Sequence, residues 1–198
     1  MTAILKVDTI QDTAGNNIIN EASDVITIGA SGDTIALAGT TVTGITQGIT
    51  EADFFFLPNS ITSDGTITTL TRATTGFDKI GTGMTQSSGV FTFPSTGLYE
   101  IRFQGEMDST DGDSFFAIEI DATTDGSTFA EYTRARGGTT DGGGDTRLTT
   151  SCSILFDVTN TSTHKVRFEV NSLASGSLVG DAAPNYRTQV IFKRIGDT

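Results

Sequence analysis

Residues 89–101 read GVFTFPSTGLYEI, and this stretch decides the fold class of the chain. Apolar and polar residues alternate over positions 90–93 and alternate again from Leu98 onward. A period of two is typical of strands that bury one face. The intervening Pro94-Ser95-Thr96-Gly97 has the composition of a turn. The stretch therefore predicts a β-hairpin inside a packed all-β domain.

The composition of the whole chain favours an all-β fold and restricts its partners. The 198 residues include 23 Gly, three Pro and no Trp, and Thr is abundant. Both Gly and Thr disfavour helix, and Thr fits a pleated surface. The net charge of −12 argues against nucleic acid and anionic membranes as partners, because both need a basic surface. No run approaches the ~20 apolar residues that cross a bilayer.

The single cysteine, Cys152, excludes an intrachain disulfide and is compatible with a reducing cytosol. It lies in an alternating run, which predicts a buried strand thiol rather than a reactive one. The N-terminus lacks the basic-then-apolar pattern of a secretory signal peptide, so we expect synthesis in the cytosol. Burial in an oligomer is the expected source of extra stability.

Residues 51–198 form the predicted globular domain. Turn signals separate about nine alternating runs, which is the number expected of a sandwich or jelly roll. One side of each run is apolar and the other charged, as in an antiparallel sheet with one solvated side. Tyr99, Ile101 and Phe103 oppose Glu100 and Arg102, and Ile118 and Ile120 oppose Glu119 and Asp121. The strand candidates are 54–57, 66–71, 90–93, 98–104, 114–121, 129–134, 147–158, 165–171 and 186–194.

The first 50 residues divide into two further segments. Residues 1–24 hold two short apolar runs around a turn, and such a segment cannot form a core alone. It needs another chain or a host surface. Residues 25–50 contain three short Ile- or Val-containing units that each end in Gly. They predict an intertwined β-shaft of three chains; the alternative is a flexible Gly/Thr linker.

The segment around Gly97-Leu98-Tyr99 resembles the strand-turn-strand signature of the C1q/TNF-like jelly rolls, with its Gly-x-Tyr strand after a turn. The resemblance covers about residues 66–195. It implies a jelly-roll head that assembles as a homotrimer, binds a partner and has no chemistry of its own. No collagen stalk precedes the head, which departs from the C1q pattern.

The N-terminal residues 5–16, LKVDTIQDTAGN, and the Ile/Thr/Gly repeats after them are similar to the start of virion structural proteins of tailed bacteriophages. This resemblance covers about the first 45 residues. It implies that residues 1–24 attach the chain to a capsid or tail protein and that the chain is located in the virion. The residues that would anchor it are Ile4, Leu5, Val7, Ile10, Ile18 and Ile19.

Three Gly/Asp-rich loops of the head, residues 108–113, 137–145 and 175–185, are candidate binding sites. Asp108, Asp111 and Asp113 place hard carboxylate oxygens on one loop, which could hold Ca²⁺. Their spacing is not that of an EF-hand, and a solvated acidic turn is the alternative. The second loop, residues 137–145, is a candidate receptor-binding loop because binding residues concentrate on loops held by a rigid scaffold. Its candidate residues are Gly137, Gly138, Asp141 and Asp145.

Four aromatic residues are predicted to lie in the core of the head or at the seam between trimer subunits. Phe54 and Phe56 belong to the densest apolar run and are predicted at the seam, with the core as the alternative. Tyr99 and Phe103 share one strand face and are predicted to be buried.

The sequence offers no recognisable catalytic constellation. His164, the single histidine, lies in a polar turn and lacks a second ligand or a Gly-x-Ser-x-Gly elbow. No Walker-type Gly-Lys-Ser/Thr occurs, and we expect no cofactor. We therefore expect a non-enzymatic phage fibre protein, a homotrimer whose head adheres to a host glycan or protein. The alternatives are a tailspike-like polysaccharide depolymerase, a capsid decoration protein without host binding, and a cellular adhesin.

Overall fold

The structure is a computed structural model, which describes residues 9–11, 17–22, 25–28, 48–109, 115–138, 146–174, 176–181 and 185–198. All regular structure within these residues is β-strand, and they contain no helix that could cross a membrane. The chain divides into two compact units, Met1–Thr46 and Gln47–Thr198.

The described part contains sixteen strands in chain order. They are β1 (Thr9–Gln11), β2 (Asn17–Ala22), β3 (Val25–Ile28), β4 (Ala52–Phe56), β5 (Gly65–Thr66), β6 (Thr71–Arg72), β7 (Lys79–Ile80), β8 (Thr85–Ser87), β9 (Val90–Thr92), β10 (Gly97–Ser109), β11 (Phe116–Thr123), β12 (Ala130–Gly137), β13 (Thr146–Val158), β14 (Lys165–Asn171), β15 (Ser177–Leu178) and β16 (Gln189–Gly196).

The N-terminal unit contains an antiparallel three-stranded sheet of order β1-β2-β3. Ile19 lies opposite Ile10 on one side and opposite Ile28 on the other. Because β2 pairs with β3, the predicted boundary after residue 24 falls between two paired strands. Of the predicted anchor residues, Ile10 lies in β1 and Ile18 and Ile19 in β2. Ile4, Leu5 and Val7 lie outside the described residues.

The C-terminal unit, which we call the head, is a jelly-roll sandwich of two antiparallel sheets. Sheet I has the order β13-β10-β16-β4-β6, with β15 paired to β10 and β7 paired to β4. Sheet II has the order β12-β11-β14-β9-β8, with β5 paired to β14. The all-β jelly-roll fold predicted from the alternating runs is confirmed.

The hairpin predicted at residues 89–101 is wrong in one respect, because β9 and β10 lie in different sheets. The turn carries the chain from sheet II to sheet I, and the rings of Phe93 and Tyr99 pack together with centroids 4.7 Å apart. The true hairpin precedes it: β8 pairs with β9 across Ser88 and Gly89, whose φ angles are 50° and 82°. Two positive φ values are what a two-residue type I′ hairpin requires.

The core lies between the sheets and is rich in phenylalanine. Phe91 of sheet II is at its centre, with ring centroids 4.9 Å from Phe55 and 5.3 Å from Phe192 of sheet I. Phe103 packs on Phe168 across the two sheets at 5.3 Å. Gly105 also faces the core, where a Cβ atom would lie 2.9 Å from Ile118 Cγ2. The sheets approach closely at that position because it has no side chain.

The strand predicted over residues 66–71 is not continuous. β5 pairs with sheet II and β6 with sheet I, so this segment crosses between the sheets. Its buried residues, Ile67 and Leu70, are three positions apart rather than two. That spacing cannot keep both side chains on one face of a single strand.

The solvated side predicted for the strand that contains Ile118 and Ile120 is also wrong. Every residue of β11 is buried, and Glu119 and Asp121 are each 4% exposed. Glu119 accepts from Arg134 Nε at 2.7 Å, and Asp121 accepts from Arg167 Nη2 at 2.9 Å. Neighbouring strands thus supply partners that let two carboxylates be buried in the sheet.

Candidate functional site

The predicted calcium site is only partly within the described residues. Asp108 lies near the end of β10, and its Oδ2 accepts a hydrogen bond from Arg147 Nε at 3.0 Å. Asp111 and Asp113 lie outside the described residues. In the part of the chain that the structure describes, no group of three or more His, Cys, Asp and Glu side chains is placed to hold a metal ion.

The predicted receptor loop begins where β12 ends. Gly137 is the last residue of β12, and a Cβ atom there would lie 2.5 Å from Leu148 Cδ2 and 2.9 Å from Phe116 Cε1. Packing of neighbouring side chains therefore accounts for this glycine. Gly138 follows and is exposed, whereas Asp141 and Asp145 lie outside the described residues.

The aromatic residues predicted for the core or the seam occupy two different places. Tyr99 and Phe103 are buried between the sheets. In β4 it is Phe55 that enters the core, while Phe54 and Phe56 are half-buried on the opposite face of sheet I. Both of these rings pack against Tyr186, with centroids 4.9 Å and 4.8 Å away.

His164 is held in the turn between β13 and β14 by neutral groups. Its ring nitrogens lie 3.3 Å from Thr159 Oγ1 and 3.2 Å from Thr163 Oγ1. The ring also packs on Phe156, with centroids 5.7 Å apart. These contacts give the histidine a structural role in the turn.

Cys152 is buried in β13, and burial raises the pKa of its thiol from the ordinary 9.0 to about 12. The thiolate is the reactive form, so we expect the folded chain to resist a thiol reagent such as 5,5′-dithiobis(2-nitrobenzoate) at pH 8. Unfolding in guanidinium should then expose one reactive thiol per chain.

The pKa of the Cys152 thiol is higher in the folded chain than in the unfolded chain. The stability gained by burying the neutral thiol is therefore complete below pH 9. It is lost as the pH rises toward 12. Fast labelling of the folded chain would contradict this burial.

The outer face of sheet I, which we call the uncovered face, is the most distinctive surface of the head. No second layer of described strands packs over it. Polar side chains cover its middle along β10, and half-buried and exposed apolar residues lie mainly around β4. Apolar residues on it or along its rim are Ile49, Phe54, Phe56, Phe77, Ile80, Leu98, Leu155, Tyr186, Ile191 and Ile195. Around β4, Phe54 and Phe56 pack on Tyr186, and Phe54 shares a cleft with Ile80. An exposed apolar patch of this kind is typical of an interaction site.

A cleft of about 340 Å³ opens on this face at β4. Its walls are mostly apolar, and they bring together residues that are far apart in sequence. Lys193 and the buried Asp53 are the charged residues in the lining. The apolar lining residues are Ile49, Ala52, Phe54, Phe77, Ile80 and Ile191.

One wall of the cleft, residues 77–80, belongs to a segment that buried polar bonds fasten to β4. Asp53, which is 1% exposed, accepts from Arg72 Nη2 at 2.8 Å and from the backbone N–H of Met84 at 2.7 Å. Arg72 also donates to the Met84 carbonyl and lies over the Phe55 ring. The hydrogen bond from Arg72 to Asp53 raises the pKa of the guanidinium. We call this arrangement the Asp53 lock.

A second carboxylate continues the attachment of this segment. Glu51 precedes β4 and accepts from the backbone N–H groups of Thr82 at 3.1 Å and of Gly83 at 2.9 Å. The short strand β7 also pairs with β4 directly. The sequence analysis found none of these residues, because their partners lie some 20 to 30 positions away in the chain.

Three solved structures share this fold at low sequence identity. The Eiger TNF of S. frugiperda aligns over 74% of this chain and 93% of its own, with 12% identity and a TM-score of 0.54. Murine APRIL aligns over 73% of this chain and 98% of its own, with a TM-score of 0.52 and 10% identity in its pH 5.0 structure or 11% in its pH 8.0 structure. No protein-family model and no curated protein matches the sequence.

These similarities define the class of fold. The head is a TNF-like jelly roll, as the Gly-x-Tyr resemblance implies. At this level of identity the likeness concerns the fold alone. Function has to be argued from the surface that this chain presents.

Proposed function

We propose that this chain is a non-enzymatic structural protein of a bacteriophage virion, a homotrimeric fibre whose TNF-like head is presented on a short β-shaft. The proposal that copies of the chain associate rests on the uncovered face of sheet I. Burial of such an apolar surface between subunits is the main favourable contribution to most protein associations. The trimer is also what the resemblance to C1q/TNF-like jelly rolls implies.

The virion context rests on the N-terminal residues 5–16 and their similarity to the start of phage structural proteins. In this proposal residues 1–24 bind a capsid or tail protein. Six apolar residues of this segment, from Ile4 to Ile19, would supply the contact with that protein.

The head is proposed to adhere to the host surface through loops at the end of the sandwich. The acidic chain would repel a phosphate-rich target at close range, so a neutral glycan or a protein is the proposed receptor. The second candidate is a capsid decoration protein that does not bind a host. It is favoured because Gly137, a predicted receptor-loop residue, is explained by packing against neighbouring side chains.

A depolymerase is tested directly by incubating the chain with capsular polysaccharide. Release of oligosaccharides would overturn the non-enzymatic assignment.

We expect the purified full chain to have a mass near three times the single-chain 20.8 kDa. Multi-angle light scattering at micromolar concentration and neutral pH measures this mass directly. The apolar patch around β4 gives the physical reason, since a monomer would leave it in water. A mass near 20.8 kDa would remove the homotrimer from the proposal.

Deletion of residues 1–24 should release the chain from virions and leave the head soluble. The head has its own core, whose members among the described residues run from Phe55 to Phe192, so its circular dichroism and melting transition should persist. An antibody against the head should label particles that carry the full chain and fail to label particles made with the truncated chain. Normal incorporation of the truncated chain would disprove the anchor assignment.

A further inference from the structure

We propose that one end of sheet II binds a neutral glycan, with the exposed ring of Phe115 as the surface on which a sugar stacks. We call this end the far rim, and it consists of Phe115, Arg136, Asn171, Ser172 and the segment 59–64. The inference rests on the proposed adhesion of the head and deepens it, because it names the surface and the class of receptor. Phe115 is 45% exposed, although the outer face of sheet II is otherwise mostly polar.

The strand register brings the residues of the far rim together. Arg136 lies opposite Ala117, and Ala117 lies opposite Asn171. Residues that lie opposite each other in adjacent strands share one face of the sheet. Phe115 is two positions before Ala117 and therefore shares that face as well. Because the residue before Asn171 pairs with β5, the far rim extends across four neighbouring strands, β12, β11, β14 and β5.

The far rim lies at the end of the head that is remote from residue 47, where the chain enters this unit. Strand β10 begins at the entry end, because Arg194, which pairs with its first residues, donates its backbone N–H to the Glu51 carbonyl at 2.9 Å. At its other end β10 pairs with Leu178, and Leu178 exchanges backbone hydrogen bonds with Ile61 of the rim. Binding residues concentrate on loops that a rigid scaffold holds at such an end.

Hydrogen bonds to the backbone hold the far rim in one shape. Both oxygens of the Asp64 carboxylate accept backbone N–H groups, from Ser172 at 2.9 Å and from Leu173 at 3.0 Å. These bonds fix a turn in which Ser172 has a φ angle of 63° and Ala174 one of 45°. Such values are uncommon for residues other than glycine. A surface that is ordered before binding loses less entropy when it binds a ligand.

The far rim carries little charge in a strongly acidic chain. Residues 57–71 and 170–180 meet at this end, and Asp64 is the single charged residue in the two sequences. The exposed hydroxyl and amide side chains of the rim segment are those of Asn59, Ser60, Thr62 and Ser63. Because the whole chain has a net charge of −12, an anionic sugar would be repelled at close range and a neutral one would not.

The side chains of the far rim match the two kinds of surface that a sugar presents. The C–H face of a sugar ring is apolar and packs on an aromatic ring, while its hydroxyls need hydrogen-bond partners. The Arg136 guanidinium lies over the Phe115 ring, 5.8 Å from its centroid, and supplies donors beside it. Asn171 Nδ2 donates to Glu119 Oε1 at 2.8 Å. An amide has two N–H donors and an acceptor oxygen, and this bond uses one donor while it fixes the side chain.

The size of the surface favours a glycan over a protein. A stable protein interface buries about 800 Å² on each partner and has an apolar centre. The far rim instead has one exposed ring among hydroxyl and amide groups, which is enough for one or two sugar residues. A homotrimer would repeat this site three times, so a repetitive glycan would be bound more tightly than one sugar unit.

Binding of glycans by the full chain tests the inference. We expect the labelled chain to be retained on printed neutral oligosaccharides of hexoses and N-acetylhexosamines, and not on acidic oligosaccharides of the same array. Titration calorimetry with the most strongly retained neutral oligosaccharide then gives a dissociation constant. Phe115→Ala should raise this constant by about tenfold, because the stacking contact is lost. Phe115→Tyr keeps the ring and should change it by less than about twofold.

Phe77→Ala is the matched control, since it removes a ring that is 40% exposed elsewhere on the head and should leave the constant unchanged. Far-UV circular dichroism and light scattering show whether each variant keeps its fold and mass. Retention on no neutral glycan, stronger retention on acidic glycans, or undiminished binding by Phe115→Ala would each overturn the glycan site. Antibody labelling of virions does not depend on glycan binding. Labelled particles whose head binds no glycan would therefore overturn the far-rim site and leave the virion assignment standing.

Discussion

Phe103→Ala is expected to lower the free energy of unfolding by roughly 3–5 kcal/mol, the usual cost of truncating a buried phenylalanine. Phe103 is fully buried in β10, and its ring packs on Phe168 of the opposite sheet at 5.3 Å. Truncation would leave a cavity at the contact between the sheets, where β10 is already fixed by pairing on both sides and cannot move inward. Guanidinium denaturation at one protein concentration measures the change.

Arg102→Ala is the matched control, since it truncates the adjacent residue on the other face of the same strand. Arg102 is exposed and donates a 3.4 Å hydrogen bond to Gln104. We expect a change below about 1 kcal/mol, as for most surface substitutions. Similar losses for the two variants would mean that the two faces of β10 are assigned incorrectly.

The faces of the long strands could be predicted from sequence because burial of one face imposes a period of two. In β10 and β14 the buried residues occupy every second position, as in Tyr99, Ile101 and Phe103. This signal is local, so the strand carries it without knowledge of its partners. It was sufficient for the fold class, which the comparisons with solved structures support independently.

Strand pairing could not be predicted in the same way, because the local sequence of a strand does not identify the strand that pairs with it. The turn at residues 94–97 has the composition of a hairpin turn and yet joins two sheets. Burial of Glu119 and Asp121 depends on Arg134 and Arg167, which neighbouring strands bring into place. From sequence alone, a charged residue in an alternating run is predicted to be exposed to solvent. Its burial can be recognised only when its ion-pair partner is known.

The candidate site was largely beyond the reach of sequence analysis for the same reason. The apolar run at Phe54 and Phe56 was visible, and the prediction that these residues lie at a subunit seam remains a prediction. The cleft beside them also requires Phe77, Ile80 and Ile191, which approach one another only in the folded head. No short motif contains these positions, so only the sheet order reveals the surface.

Asp53→Ala is expected to destabilise the head by roughly 1–3 kcal/mol, the cost of leaving a buried hydrogen-bond donor without its acceptor. The variant removes the acceptor of Arg72 and leaves the Met84 N–H without its partner in a buried place. It should also loosen residues 77–84, which form a wall of the cleft. Urea denaturation gives the stability, and hydrogen exchange of the Met84 amide reports the local opening.

The exposed pair of Glu100 and Lys193 supplies the control for this last prediction. Its N–O distance of 3.2 Å is similar to those of the Asp53 lock, but both of its side chains are 41% exposed. Surface pairs of this kind contribute about 0–1 kcal/mol, so Glu100→Ala should have little effect on unfolding. Asp53→Asn separates charge from hydrogen bonding, because one amide oxygen can still accept from Met84 N–H. An Asn variant as stable as the unsubstituted chain would show that the hydrogen bonds, and not the ion pair with Arg72, hold the cleft wall on β4.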